Sequence, residues 1–231
     1  MSRRLNRLIS HVWPGLGRFK RILLAYLAKL LPIRKSYAQL GDDEIAISFL
    51  CSIGKAKKLF YVDIGANHPT RLSNTYRMYR EGARGLIIEP NIELIQLHKR
   101  IRPFDVQLAV GTGSSDKISK FYISKTPVLS SFQKNQVDDL WSTEYLPVFM
   151  LDTICLNLNI TSIDFLSIDV EGLDLDVLKG AINALKFTHL VCVEANNAQE
   201  EASISLFMSA NGFELHNKNQ WNLFYVHSKS L

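Results

Sequence analysis

Short apolar runs recur along the chain, separated by stretches in which apolar positions return every three or four residues. The first pattern predicts buried strands and the second predicts amphipathic helices. Residues 42–53 predict a helix capped by Asp42 or Asp43. Residues 59–64 predict a first strand running into the turn Asp63-Ile64-Gly65-Ala66-Asn67. A helix over 72–81, a strand over 85–89, a helix opened by Pro90 and Asn91 and running to about Arg100, and a strand over 104–110 follow. The region 111–148 reads as irregular, with a strand at 119–124 and a loop from Ser130 to Trp141. Helices over 151–159, 173–179 and 200–211 then alternate with strands over 164–169 and 189–194, and 213–216 and 223–227 form a closing hairpin. Strands spaced by helices imply parallel crossovers and a sheet covered on both faces, a Rossmann-like α/β fold.

Charge divides the chain. Residues 1–35 hold nine Lys and Arg and no acid, which leaves 18 bases against 22 acids over 36–231, a net of −4, although the whole chain carries +5. The basic character thus belongs to an extension, and the main domain over 36–231 is mildly acidic. Nucleic acid is disfavoured as a partner of that domain, because neutralising phosphates needs a basic working face. Within the extension Leu5, Leu8, Ile9, Val12 and Leu16 share one helical face, and Phe19, Ile22, Leu23, Tyr26, Leu27 and Leu30 share another. Its longest uncharged apolar run, Ile22 to Ala28, is far short of the ~20 residues of a spanning helix, and no cleavage site follows it. Two readings stand: a surface helix on anionic lipid, placing the protein peripherally at the inner face of a membrane in the cytoplasm, or a helix packed on its own domain or on a second subunit. Cys51, Cys155 and Cys192 are widely spaced, which predicts free thiols rather than a zinc site; Cys155 and Cys192 read as core residues.

Ligands of open α/β sheets bind at the carboxyl ends of the strands. Here nearly every such end carries a carboxylate or amide: Asp63 to Asn67, Glu89-Pro90-Asn91, Asp169-Val170-Glu171-Gly172, and Glu194-Ala195-Asn196-Asn197. Gly65 lets the backbone pass close to a cofactor. Glu89, 26 residues after Asp63, is placed to accept ribose hydroxyls. The first turn lacks a full Gly-x-Gly-x-x-Gly, and acidic loops repel pyrophosphate. A cofactor with a ribose and a cationic sulfonium fits better than a dinucleotide. Asp169, Glu194 and Asn196 also offer oxygen ligands for a divalent cation such as Mg²⁺, the other reading being direct bonds to cofactor and substrate.

Three segments, Phe60 to Asn67, Gly85 to Asn91, and Ile163 to Gly172 continuing to Val177-Leu178-Lys179-Gly180, resemble the motifs of the FkbM family of methyltransferases. Ser36 to Asp43 resembles a short element that often precedes this domain. The resemblance implies the class I methyltransferase fold, with a seven-stranded, mostly parallel sheet. It also implies S-adenosylmethionine as cofactor and O-methyl transfer to a hydroxyl of a saccharide, glycolipid or secondary metabolite, as in polysaccharide biosynthesis. It implies that Asp63, Gly65, Ala66 and Asn67 line the cofactor, that Glu89 and Asn91 hold the ribose end, and that Gln107 to Val110, with Ala109, flank the adenine. Asp169 and Glu171 would face the methyl group and acceptor. His68-Pro69 departs from the Asp-Gly of many relatives and makes His68 a rival base to Asp169 and Glu171. Phe132, Trp141 and Tyr145 lie in the irregular insert, either as an acceptor lid or as closure over the sheet edge. Alternatives from other classes are an N-methyl or nucleic-acid methyltransferase, and a non-catalytic cofactor-binding module tethered to a membrane complex.

Overall fold

The computed structural model describes residues 31–126 and 129–228. The chain divides after Ile33, and the unit Arg34–Leu231 holds the fold. The amphipathic helices expected over residues 5–30 lie outside the described residues. Among the described residues no helix is long and apolar enough to cross a membrane.

A seven-stranded sheet organises the unit. Its strands are β1 (Phe60–Ile64), β2 (Arg84–Ile88), β3 (Val106–Leu108), β7 (Ile163–Ile168), β8 (Thr188–Glu194), β9 (Phe213–Lys218) and β10 (Asn222–His227). They stand in the order β3-β2-β1-β7-β8-β10-β9. Strands β3 to β8 of this order run parallel, while β10 is antiparallel to both β8 and β9. The order reverses between β1 and β7, so the crevice of a doubly wound sheet opens at their carboxyl ends.

Burial on both faces explains the near-continuous apolar runs. All six residues of β7 are buried, as are four of the five in β1. One face, with Val62, Ile64, Leu86, Ile88, Leu166 and Ile168, packs on α4 (Leu151–Leu158), α5 (Asp174–Lys179), α6 (Ile182–Leu185) and α7 (Ala198–Ala210). The opposite face packs on α1 (Asp42–Ser52), α2 (Tyr76–Arg80) and α3 (Ile92–Ile101). In α3, Leu94, Ile95, Leu97, His98 and Ile101 form the buried stripe, and the Asn91 side chain caps the helix by accepting from the Glu93 N–H at 3.0 Å.

Several expectations change. Helix α1 is preceded by Gly41 in the left-handed region, not capped by Asp42 or Asp43. Both acids are buried and engaged elsewhere: Asp43 accepts from the Ser36 hydroxyl at 2.5 Å and the Tyr37 N–H at 2.7 Å, and Asp42 accepts from the amides of Asn219 and Asn222 at 2.6 and 2.9 Å. The helix expected over 72–81 begins only at Tyr76, because Leu72 has positive φ and Ser73 to Thr75 turn their side chains into the protein. The insert is not irregular. Strands β4 (Gly111–Thr112), β5 (Lys117–Ser124) and β6 (Leu140–Phe149) form a second sheet in the order β4-β6-β5, with a 3-10 turn at Lys134–Gln136. Half of β6 is exposed, only Val148 is buried, and the strand contains Pro147, so the alternation that announces a strand is missing.

Gly85 shows how tightly the sheet is filled. A Cβ there would lie 2.2 Å from the Tyr61 ring and 2.3 Å from its carbonyl oxygen. Gly85→Ala therefore forces β1 and β2 apart and is expected to cost about 1–3 kcal/mol, the usual range for overpacking, read as a lower urea midpoint at unchanged slope.

Candidate functional site

Strand register builds the site. Ile64 pairs with Ile88 on one side and Ile168 on the other, and Ile168 pairs with Val193. One residue further on, Gly65, Glu89, Asp169 and Glu194 therefore occupy a single row across the carboxyl edge of four parallel strands. The strand ends are pressed together. The Gly65 N–H donates to the Ile88 carbonyl at 2.9 Å, and the Asp169 N–H donates to the Ile64 carbonyl at 3.0 Å. Gly65 has φ +75°, and a Cβ on it would sit 1.8 Å from the Asp169 carbonyl oxygen. Only glycine meets both conditions.

Glu89 is buried and held from both sides. Its Oε2 accepts from the Asn67 N–H at 3.0 Å and its Oε1 from the Asn91 N–H at 2.8 Å. Each oxygen keeps a second lone pair. Burial pushes the carboxyl up to about 7 against the pull of those two donors. Asn67, in the left-handed region, also presents its carbonyl to His98 Nε2 at 2.9 Å, so α3 braces the first turn. His98 is fully buried, and burial followed by the Arg102 charge keeps it neutral. His68 Nδ1 accepts from the N–H groups of Thr70 and Arg71, both at 3.2 Å, which commits that nitrogen to the turn.

At the end of β7 the acids crowd. Burial, and then the charges of Glu194, Asp174, Glu171 and Asp63, raise Asp169 well above the usual carboxylate range. Glu194 is raised by burial and by Glu171. Asp174, absent from the sequence reading, is buried and shapes the loop: it accepts from the N–H groups of Val170 and Gly172 at 3.2 and 3.0 Å, and burial pushes it to about 7. Glu171 is exposed with φ +55°, an uncommon conformation for this residue that marks strained functional loops. Its carbonyl accepts from the amides of Gln133 and Gln136 at 3.3 and 3.1 Å. The same segment reaches the β2 side, where the Asn91 amide meets the Ser130 hydroxyl at 3.4 Å. The insert thus spans from the Glu89 turn to the Asp169 loop.

Behind the row lies a buried network that the sequence did not reveal. Arg102 is fully buried. Its guanidinium donates to Asp105 at 2.8 Å, to the Tyr61 hydroxyl at 2.8 Å and to the Thr75 hydroxyl at 2.9 Å. Thr75 in turn donates to Asp63 at 2.5 Å. Burial raises Asp63, and Arg102 opposes that rise. Asn74 donates to the Ser167 hydroxyl at 3.1 Å, so the segment 73–75 closes the row from one face. Its neighbour Tyr37 packs edge-on against Tyr76, with ring centroids 4.8 Å apart, and accepts from the Ser73 N–H at 3.2 Å. The Ser36 to Asp43 element thereby props the wall that carries Thr75.

The methyltransferase FkbM domain matches residues 63–215, more than half of the chain. The chain belongs to the FkbM methyltransferase family. No curated protein sequence matches it. Among solved structures it is similar to one from Pyrococcus horikoshii, provisionally described as an RNA methyltransferase, at 11% identity and a TM-score of 0.44, covering 90% of this chain and 98% of that one.

In this FkbM domain the motif residues Asp63, Gly65, Ala66, Asn67, Glu89 and Asn91 come together around the first turn, and Asp169 and Glu194 adjoin them in the row. Ala109 follows the end of β3. Asn196 is exposed, and its N–H donates to Glu200 at 2.9 Å. Among the described residues no group of three or more His, Cys, Asp or Glu is arranged to hold a metal ion. The cation considered for Asp169, Glu194 and Asn196 thus gains no support from the donor set. The missed residues carried one legible signal: Arg102 continues the buried stripe of α3, four positions after His98.

Two outcomes follow. Arg102→Met strands the Asp105 carboxylate in the interior and is expected to cost about 3–5 kcal/mol in chemical denaturation. Glu89 and Asp174 hold protons in the folded state, near pH 7, that the unfolded chain releases near its ordinary values of 4.5 and 3.8. Their contribution to stability is therefore present at low pH and lost as pH rises from about 4 through 7. Melting curves at pH 5 and pH 8 should show a smaller difference for Glu89→Gln than for the wild type.

Proposed function

We propose that this methyltransferase uses S-adenosylmethionine to methylate a hydroxyl of a saccharide, a glycolipid or a secondary metabolite. The row of Gly65, Glu89, Asp169 and Glu194 is the observation that carries the reading. Glu89 keeps a free lone pair on each oxygen while two backbone donors fix its plane, which suits a pair of ribose hydroxyls. Gly65 lets the first turn press against the Asp169 backbone, which holds these strand ends in one row. Acids at Asp63, Asp169 and Glu194 suit a cation and reject pyrophosphate. When bound, the cofactor supplies an electrophilic methyl group on a sulfonium.

The chain's own part is alignment and proton removal. Asp169 is the base in this reading: it stands in the row beside Gly65, and a carboxyl with a raised pKa is a better base toward an alcohol than an ordinary one. Glu171 lies in the loop after β7, where Gln133 and Gln136 hold its carbonyl. His68 serves the turn through Nδ1, so the base assignment rests on Asp169 ahead of His68. The net charge of −4 over residues 36–231 weighs against a nucleic-acid acceptor. Peripheral contact of residues 1–35 with a membrane in the cytoplasm belongs to the same proposal, resting on their basic, amphipathic sequence.

Calorimetry with S-adenosylmethionine tests the cofactor. Glu89→Ala should weaken binding about 10- to 100-fold, as expected for bonds to a charged acceptor, and wild-type affinity should rise with pH through 7 as Glu89 ionises. Affinity independent of both would remove the ribose assignment. Asp169→Asn should abolish methyl transfer while cofactor affinity stays within a few fold; unchanged turnover would place the base elsewhere.

A further inference from the structure

Among the described residues the second sheet leaves one face open. Side chains alternate across β5 and β6, and Phe121 points inward, buried against Phe132. The other face carries Ile118, Lys120 and Tyr122 on β5 beside Trp141, Thr143 and Tyr145 on β6, with Lys120 paired to Tyr145 and Tyr122 to Thr143. Ile118, Trp141 and Tyr145 are 73%, 71% and 66% exposed, far more than large apolar side chains usually are. The Lys120 ammonium lies 5.8 Å from the centre of the Tyr145 ring.

Trp141, exposed at the register shift opposite Ile123 and Ser124, lies four residues before Tyr145 on β6, at most about 13 Å away at ~3.3 Å per residue. That reach takes rings two or three units apart in an extended sugar chain, with the Thr143 and Tyr122 hydroxyls and the Lys120 ammonium between as hydrogen-bonding groups. Rings interleaved with single polar groups suit the mixed apolar and hydroxyl faces of a sugar. An anionic bilayer calls instead for a cluster of basic residues, and this row holds one. The row is also continuous with the site. Tyr122 pairs with Ser131 through both backbone groups, and Gln133 and Gln136, in the segment between Ser131 and β6, hold the Glu171 carbonyl.

We propose that the open face of β5 and β6 is a docking platform for a saccharide chain, stacking sugar rings of the acceptor on Trp141 and Tyr145 at a distance from the hydroxyl that is methylated. The platform rests on the saccharide reading of the acceptor above.

Native affinity electrophoresis of the full chain through gels holding mannan, xylan, mixed-linkage glucan or galactomannan tests it. The wild type and Asp169→Asn should be retarded alike by at least one polymer. In the double variant Trp141→Ala, Tyr145→Ala that binding should weaken about tenfold or more, as the loss of two aromatic contacts implies, at an unchanged melting temperature. Absence of retardation by every polymer overturns the platform, as does equal retardation of the double variant. So does loss, on the same substitutions, of binding to phosphatidylglycerol vesicles without any sugar retardation, which would make the face a lipid surface. Methyl incorporation from labelled cofactor separates the two levels. Retardation that depends on the aromatic pair upholds the platform even where no polymer is methylated, and only the O-methylation reading then falls. Methylation of a polymer at equal kcat/KM by wild type and double variant removes the platform alone.

Discussion

Carboxyl groups drawn together at the dry edge of a sheet repel one another, and each pays for leaving water unless it keeps its proton or meets a positive charge. Asp63, Glu89, Asp169 and Glu194 are in that position, with Asp174 beneath the loop. Arg102 answers part of the charge from behind, through Thr75 and Asp63. Toward the crevice the answer is protons, held at raised pKa. A carboxyl held at a raised pKa is a stronger base than an ordinary one once it loses its proton. The fold's remaining features serve to keep these side chains in one row: the parallel register, the glycine pressed against the neighbouring strand, and the backbone donors on Glu89.

Much of this was legible along the chain because parallel strands end in place. Nearly every buried run terminated in an acid or amide, and parallel pairing of neighbours in register turns such endings into a line. Strand limits moved by only a residue or two. What stayed hidden depends on partners far apart in sequence. Asp105, Tyr61 and Arg102 satisfy one another inside the protein, and no spacing along the chain announced that they would meet. Asp174 looked like the start of an ordinary helix, although its carboxylate shapes the loop before it. β6 escaped because half of its residues are exposed and only Val148 is buried, so no core imposed a period on them.

The FkbM motif Asp-x-Glu-Gly gains a physical account. Asp169 belongs to the row, Glu171 and Gly172 both take positive φ, and Asp174 bonds the loop from below. Two consecutive left-handed residues turn the chain abruptly out of β7, which exposes the Glu171 carbonyl to the insert. The Val-Leu-Lys-Gly portion ends at Gly180, where the Asp152 N–H finds its carbonyl, tying α4 to the end of α5.

The short segment around Ser130 to Gln136 touches the turn after β2 at one end and the loop after β7 at the other. It behaves as a crossbeam between two walls that belong to different halves of the doubly wound sheet. Prising Glu171 away from the two glutamine amides would slacken the beam at its far support beside Asn91. A displacement at one end of the segment would then be felt at the other, without any rearrangement of the strands themselves.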